Sequence, residues 1–160
     1  MNVLNDITAY FRRIAEEHGA LRHSAAERHF FRGEVEEFFK QFRSDVRFPC
    51  LVLEGSTVGY VWAAPRLRKC RQGAFIVCQK YDQLNDYDDI VYRMSECESI
   101  GDDIVRRLID EAGSAASPFL AIDTESITGS YMDNQGNRYV GYRVEFETTE
   151  EPCWKLRVEV

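Results

Sequence analysis

Asp86–Ala112, DYDDIVYRMSECESIGDDIVRRLIDEA, is the stretch whose reading decides the fold. Ile90, Met94, Cys97, Ile104 and Leu108 recur at steps of three and four, with Gly101 on the same seam, so they line one helical stripe. Val91, Val105, Ile109 and Ala112 widen it into the face of a core-packed helix. Asp86, Asp88 and Asp89 crowd the first turn, where the helix dipole favours anions. Arg106 and Arg107 sit toward the far end, and Gly113 reads as the C′ stop. Three strand-like runs precede this helix and three follow it. The expected fold is therefore α+β: a mainly antiparallel sheet packed against one long central helix, with one or two helices at the N-terminus.

The chain has 160 residues, 44% hydrophobic and 29% charged, and reads as one soluble domain over 1–160. Residues 1–46 are expected to be helical and 47–160 to form the sheet around the helix at 86–112. A net charge of −7 argues against a sequence-specific nucleic-acid reader, which needs a clustered basic surface. No apolar run has the length of a membrane span, and the N-terminus lacks an apolar signal core, so the expected location is cytoplasmic. Cys50, Cys70, Cys78, Cys97 and Cys153 form an odd set with no C-x-x-C pair and read as structural thiols in a reducing compartment.

Leu4, Ile7, Phe11 and Ile14, with Tyr10 beside them and His18 next on the stripe, make an amphipathic first helix that starts after Asn2 or Asn5. Its greasy face is expected to pack on the sheet, or else to serve as a partner-binding arm. Ser24–Glu27 has the S-x-x-E form of a capping box. A second helix is expected from there, burying Phe31, Val35, Phe38, Phe39 and Phe42, with Gly33 as its weak point. These aromatics read first as core, and Phe31, Phe38, Phe39 and Phe42 second as a partner-docking face.

Pro49 closes the helical part. Cys50–Glu54 and Val58–Ala63 read as strands joined by a Glu54–Thr57 turn into a hairpin, and Ala74–Lys80 as a third strand. Between them Arg66-Leu67-Arg68-Lys69-Cys70-Arg71 reads as a loop or a frayed edge ahead of the third strand. Past the helix, Phe119–Thr128 is strand-like. Met132–Asn137 is a hairpin loop, with Gly136 or Asn137 free to take positive φ. Tyr142, Val144 and Phe146 alternate with Arg143, Glu145 and Glu147, the pattern of a strand wet on one face. Trp154 to Val160 alternates again after Pro152.

No reactive constellation stands out. Gly55-Ser56-Thr57-Val58-Gly59 has Thr where a nucleophile elbow needs Ser, and it joins two strands. His18, His23 and His29 offer no pair at helical i, i+4 spacing, so neither a metal nor a cofactor is implied. Glu98, Asp102 and Asp103 can share a helix face, but they are too few to complete a divalent-cation shell. The basic run Arg66, Arg68, Lys69 and Arg71 lacks interleaved aromatics for base stacking. In a self-assembling acidic protein it can meet the Glu98, Asp102 and Asp103 face of the next subunit, a head-to-tail contact that closes into a ring.

His29-Phe30-Phe31 through Phe42, Phe48-Pro49-Cys50-Leu51-Val52-Leu53-Glu54-Gly55, Ser99-Ile100-Gly101-Asp102-Asp103-Ile104 and Gly141-Tyr142-Arg143-Val144-Glu145-Phe146 carry a family resemblance. Together they span most of residues 29–147. In their order and pattern the chain resembles the small tail-terminator and tail-completion proteins of tailed phages and contractile injection systems. That resemblance implies a non-enzymatic structural protein of the virion or injection particle. Such proteins form a homo-oligomeric ring, commonly of six subunits, on the end of the tail tube, with tube, sheath or neck proteins as partners. It carries over no catalytic residue. The first 28 residues and the strand-like Trp154–Val160 depart from the minimal pattern. The alternative expectation is a small protein-binding adaptor or regulatory domain using the aromatic segment 31–42.

Overall fold

The computed structural model describes residues 3–34, 46–63 and 65–150. The described elements are α1 (Val3–Glu17), β1 (Arg28–Arg32), β2 (Val46–Leu53), β3 (Thr57–Ala63), β4 (Arg66–Lys80), α2 (Tyr87–Glu111), β5 (Ala121–Asn134) and β6 (Tyr139–Glu150). The fold is α+β, with a six-stranded sheet in the order β1-β2-β4-β6-β5 and β3 also paired to β4. Every pairing is antiparallel except β1 on β2.

The hairpin expected between Cys50–Glu54 and Val58–Ala63 does not form. Leu53 lies opposite Phe75 and Thr57 opposite Gln72, so β2 and β3 run end to end along the same edge of β4. Glu54, Gly55 and Ser56 face only Gly73 and Ala74, a one-residue bulge closed by a hydrogen bond from Glu54 N to Ala74 O of 3.0 Å. Gly and Ser at a strand interruption suit a bulge as well as a turn, and only the long ladder of β4 distinguishes them. For the same reason the basic run is no loop. Residues 66–71 are the first half of β4, and the hairpin turn falls at Pro65.

The Ser24 capping box makes its hydrogen bond, Glu27 N to Ser24 Oγ at 3.0 Å, yet the residues that directly follow it, Arg28–Arg32, are a strand. The chain enters β1 instead, because the edge of β2 offers backbone partners and places Phe30 opposite Leu51. Phe30 is buried in the main core while Phe31 packs on a second cluster across the sheet, a division that a single helix face cannot make. Phe38, Phe39 and Phe42 lie outside the described residues. The return turn also differs in detail: β5 reaches Asn134, and the residue with positive φ is Arg138, at +58°.

Both helices cover one face of the sheet. Ile7, Phe11 and Ile14 of α1 and Cys97, Ile104 and Leu108 of α2 meet Phe75, Val77, Val144 and Phe146. Leu4, Val91 and Ile109, all expected on the buried stripes, are exposed. Asp86 caps α2 by accepting from Asp89 N at 3.1 Å, and Gly113 follows the helix at φ +78°. α1 is no free arm. Tyr10 donates to Glu111 at 2.8 Å, and Arg107 bridges Glu17 at 2.5 Å and Glu111 at 2.9 Å. On the other face Cys50, Val52, Ile76 and Cys78 form the second cluster.

Gly101 lets α2 approach β6. A Cβ there would lie 2.6 Å from the Tyr142 ring, and one on Gly129 would lie 2.0 Å from its hydroxyl oxygen. The ring therefore sits in a notch cut by two glycines on different elements. Gly101→Ala should lower stability by about 1–3 kcal/mol through overpacking, read from urea unfolding. The same substitution made with Tyr142→Leu should cost clearly less. Equal cost in both backgrounds would separate the glycine from this contact.

Candidate interaction surface

β3 and the facing residues 66–72 of β4 form an arm at one end of the sheet; β6 flanks it as far as Lys69, and among the described residues only Arg66, Leu67 and Arg68 pair with β3 alone. All of β3 from Thr57 to Trp62 is exposed, and its outer edge has no strand partner among the described residues. Trp62 is 66% exposed, Tyr60 62% and Val61 53%, high values for aromatic and β-branched side chains on a strand. Register divides the arm's two faces. Val61 stands opposite Arg68, next to the Ala63–Arg66 pair, whereas Tyr60 stands opposite Lys69 and Trp62 opposite Leu67. The run VGYVW is apolar in both parities, which is the signal in the sequence that this strand has no single inward face.

The basic run is split by burial. Arg66 and Arg68 are exposed, but Arg71 is buried and donates to Glu150 at 2.6 Å and to Ser56 Oγ at 2.7 Å. The Lys69 ammonium lies 3.9 Å from the same Glu150 carboxylate and is largely covered. Arg71 therefore serves the fold, fastening the bulge between β2 and β3 to the end of β6, and it presents no charge to a neighbour. Thr148, directly opposite Arg71 on β6, keeps a buried hydroxyl without a hydrogen-bond partner among the described residues.

Glu98, Asp102 and Asp103 share one stretch of α2 but differ in surroundings. Glu98 accepts from the Tyr131 hydroxyl at 2.7 Å, and Asp103 meets His18 Nε2 at 2.9 Å. Asp102 is held above the usual carboxyl range by partial desolvation and then by the Glu98 and Asp103 charges. Among the described residues no three His, Cys, Asp or Glu side chains are grouped to hold a metal ion. More exposed apolar surface stands at the start of α2, where Tyr87 is 71% and Val91 60% exposed, with Tyr92 and Leu84 beside them. Sequence periodicity missed this patch because Val91 sits at the border of the apolar stripe.

An open cavity of about 750 Å³ lies between α1 and the segment 113–120, bordered by Asp6, Tyr10, Arg13, Phe119 and Glu150. Arg13 is engaged there with the Ala116 carbonyl, and Glu150 with Arg71. The thiols are equally committed to packing. Burial pushes Cys50 and Cys97 up to about 12 and Cys78 well above its ordinary value. Such thiols stay protonated at neutral pH and are poor nucleophiles. Among the described residues no helix is long and apolar enough to cross a membrane.

No protein-family model matches this chain, and no curated protein matches it either.

Removing one member of the buried ion pair, as in Arg71→Met, should cost about 3–5 kcal/mol by leaving Glu150 uncompensated. Arg68→Glu should change stability by about 0.5 kcal/mol or less, as expected of an exposed site. Chemical denaturation of the two variants side by side checks the contrast. Iodoacetamide at pH 8 on the native protein should modify the partly exposed Cys70 and leave Cys50, Cys78 and Cys97 untouched, as read by peptide mass mapping. Rapid labelling of those three would contradict their burial.

Proposed function

We propose that this protein is a non-enzymatic structural subunit of a phage-like tail, forming a ring that caps or terminates the tail tube and joins it to the neck. The observation that carries this reading is the β3–β4 arm, an apolar and cationic ribbon with exposed side chains on both faces, Val61, Arg66 and Arg68 on one and Tyr60 and Trp62 on the other, rooted by the buried Arg71–Glu150 pair. A ring subunit on a tube must contact its neighbours and the tube at once, and an arm with two unlike faces offers two such contacts. The Val61, Arg66 and Arg68 face suits an acidic neighbour, and the Tyr60 and Trp62 face suits an apolar seat. The family resemblance supports the same assignment and suggests six subunits, with tube, sheath or neck proteins as partners in a particle assembled in the cytoplasm. The adaptor reading rests, from sequence, on segment 31–42, most of which lies outside the described residues; Tyr60 and Trp62 of β3 are the exposed aromatics on which it draws instead.

Solution mass by light scattering, at low and high salt and with negative-stain images of the same fractions, tests the ring. Closed rings that loosen as salt screens the contacts are expected. A monomer at every concentration, unable to cap isolated tail tubes, would overturn the capping role and leave the adaptor reading.

A further inference from the structure

The arm and a second exposed apolar patch lie at opposite ends of β4. The arm occupies the Arg66 end. The second patch, here termed the shoulder, follows the Lys80 end and comprises Leu84, Tyr87, Val91 and Tyr92 at the start of α2. The two carry opposite charge. From Thr57 to Gln72 the chain has Arg66, Arg68, Lys69 and Arg71 and no acidic residue. From Tyr81 to Tyr92 it has Asp82, Asp86, Asp88 and Asp89 and no Lys or Arg. Not all of these charges are available. Arg71 is paired with Glu150, Asp89 with Arg93, and Asp86 caps the helix, which leaves Arg66 and Arg68 facing Asp82 and Asp88 in the comparison. The positively charged Arg138 borders the shoulder, where it donates to the Asp82 carbonyl at 2.6 Å.

One molecule cannot bring its own patches together. β4 is a continuous strand of 15 residues, and at about 3.3 Å per residue its ends stand roughly 45 Å apart. Hydrogen bonding along both edges of β4 keeps it from folding back.

We propose that the arm of one copy seats on the shoulder of a second copy, with Val61 against Tyr87 and Val91 and with Arg66 and Arg68 over Tyr92, Asp82 and Asp88. The inference rests on the self-assembling reading above and names its joint. The joint differs from the pairing expected from sequence, in which the basic run meets Glu98, Asp102 and Asp103. Two of those acids are engaged within the subunit by Tyr131 and His18, and the exposed aromatic that touches them, Tyr131, has its hydroxyl committed to Glu98. At the shoulder, a guanidinium finds aromatic faces and carboxylates together, the surroundings in which an interfacial arginine is most effective. Patches at opposite ends of a stiff strand make the contact head-to-tail, so each copy uses its arm on one neighbour and its shoulder on another.

Charge exchange tests the joint on the full chain. Arg66→Glu/Arg68→Glu makes both arm and shoulder acidic, and Asp82→Arg/Asp88→Arg makes both basic. All four sites are exposed, so each variant should keep the far-UV circular dichroism spectrum and melting temperature of the native chain. Each variant alone should lose at least tenfold in assembly affinity, read from the concentration dependence of its mass. An equimolar mixture should recover assembly, because every arm then meets a shoulder of opposite charge. Variants that assemble singly like the native chain, or a folded mixture that stays dissociated, would overturn the joint while leaving self-assembly standing. A native chain that never associates would overturn both.

Discussion

The two backbone ladders of β4 are the constraint on which the remaining architecture depends. One edge carries β2 and β3 in succession and the other carries β6 over nearly its whole length, so β4 is held straight from Arg66 to Lys80. The change from β2 to β3 is absorbed by the Glu54–Ser56 bulge, which keeps both strands on one edge. Arg71 fixes that junction from beneath, reaching Ser56 in the bulge and Glu150 at the end of β6. The end of the sheet beyond Lys69, where β3 and β4 pair only with each other among the described residues, needs such a root because two strands alone have little core to hold them.

Helix packing follows from this beam. α2 lies against β4 and β6 only because Gly101 lacks a side chain where Tyr142 stands, and Gly129 clears the hydroxyl end of the same ring. α1 is then tied to α2 by Tyr10, Glu17, Arg107 and Glu111, which turns two amphipathic helices into one cover over the sheet. The polar contacts between helices also engage part of the acidic surface. Asp103 is bound to His18, and Glu98 to Tyr131 across the border with β5. Formal charge is therefore a poor guide to which residues meet a partner in this protein. What counts is the charge left after the fold has used its share, and Arg66 and Arg68 at one end of β4 and Asp82 and Asp88 beyond the other belong to it.

The proposed structural role draws on the placement of these groups. The buried thiols are held protonated, and the strongest ionic contact below the surface, Arg71 with Glu150, fastens strands together. Aromatic side chains, by contrast, are left in water on the arm and at the start of α2. Large apolar groups outside the core favour association with another surface, and a strand with a bare edge adds backbone groups able to pair.

Local sequence determined the elements whose chemistry is local. The α2 helix, the acids at its start and its Gly113 stop were legible because a helix closes its hydrogen bonds within itself and shows its buried side every three or four residues. The alternation of β6 was legible for the same reason at period two. Part of the candidate surface was also visible, as the basic run at Arg66–Arg71 and the acids of α2. Tertiary structure decided what depends on residues far apart in the chain. Which strand pairs with β3, whether Gly55 and Ser56 make a turn or a bulge, and whether Ser24 caps a helix or turns into β1 are settled by the ladder a distant strand provides. Likewise Arg68 and Arg71 belong to one basic run, and only the approach of Glu150 makes one buried and leaves the other exposed. A strand's partners and a charge's burial are properties of contacts across the chain, and no window along the sequence contains them.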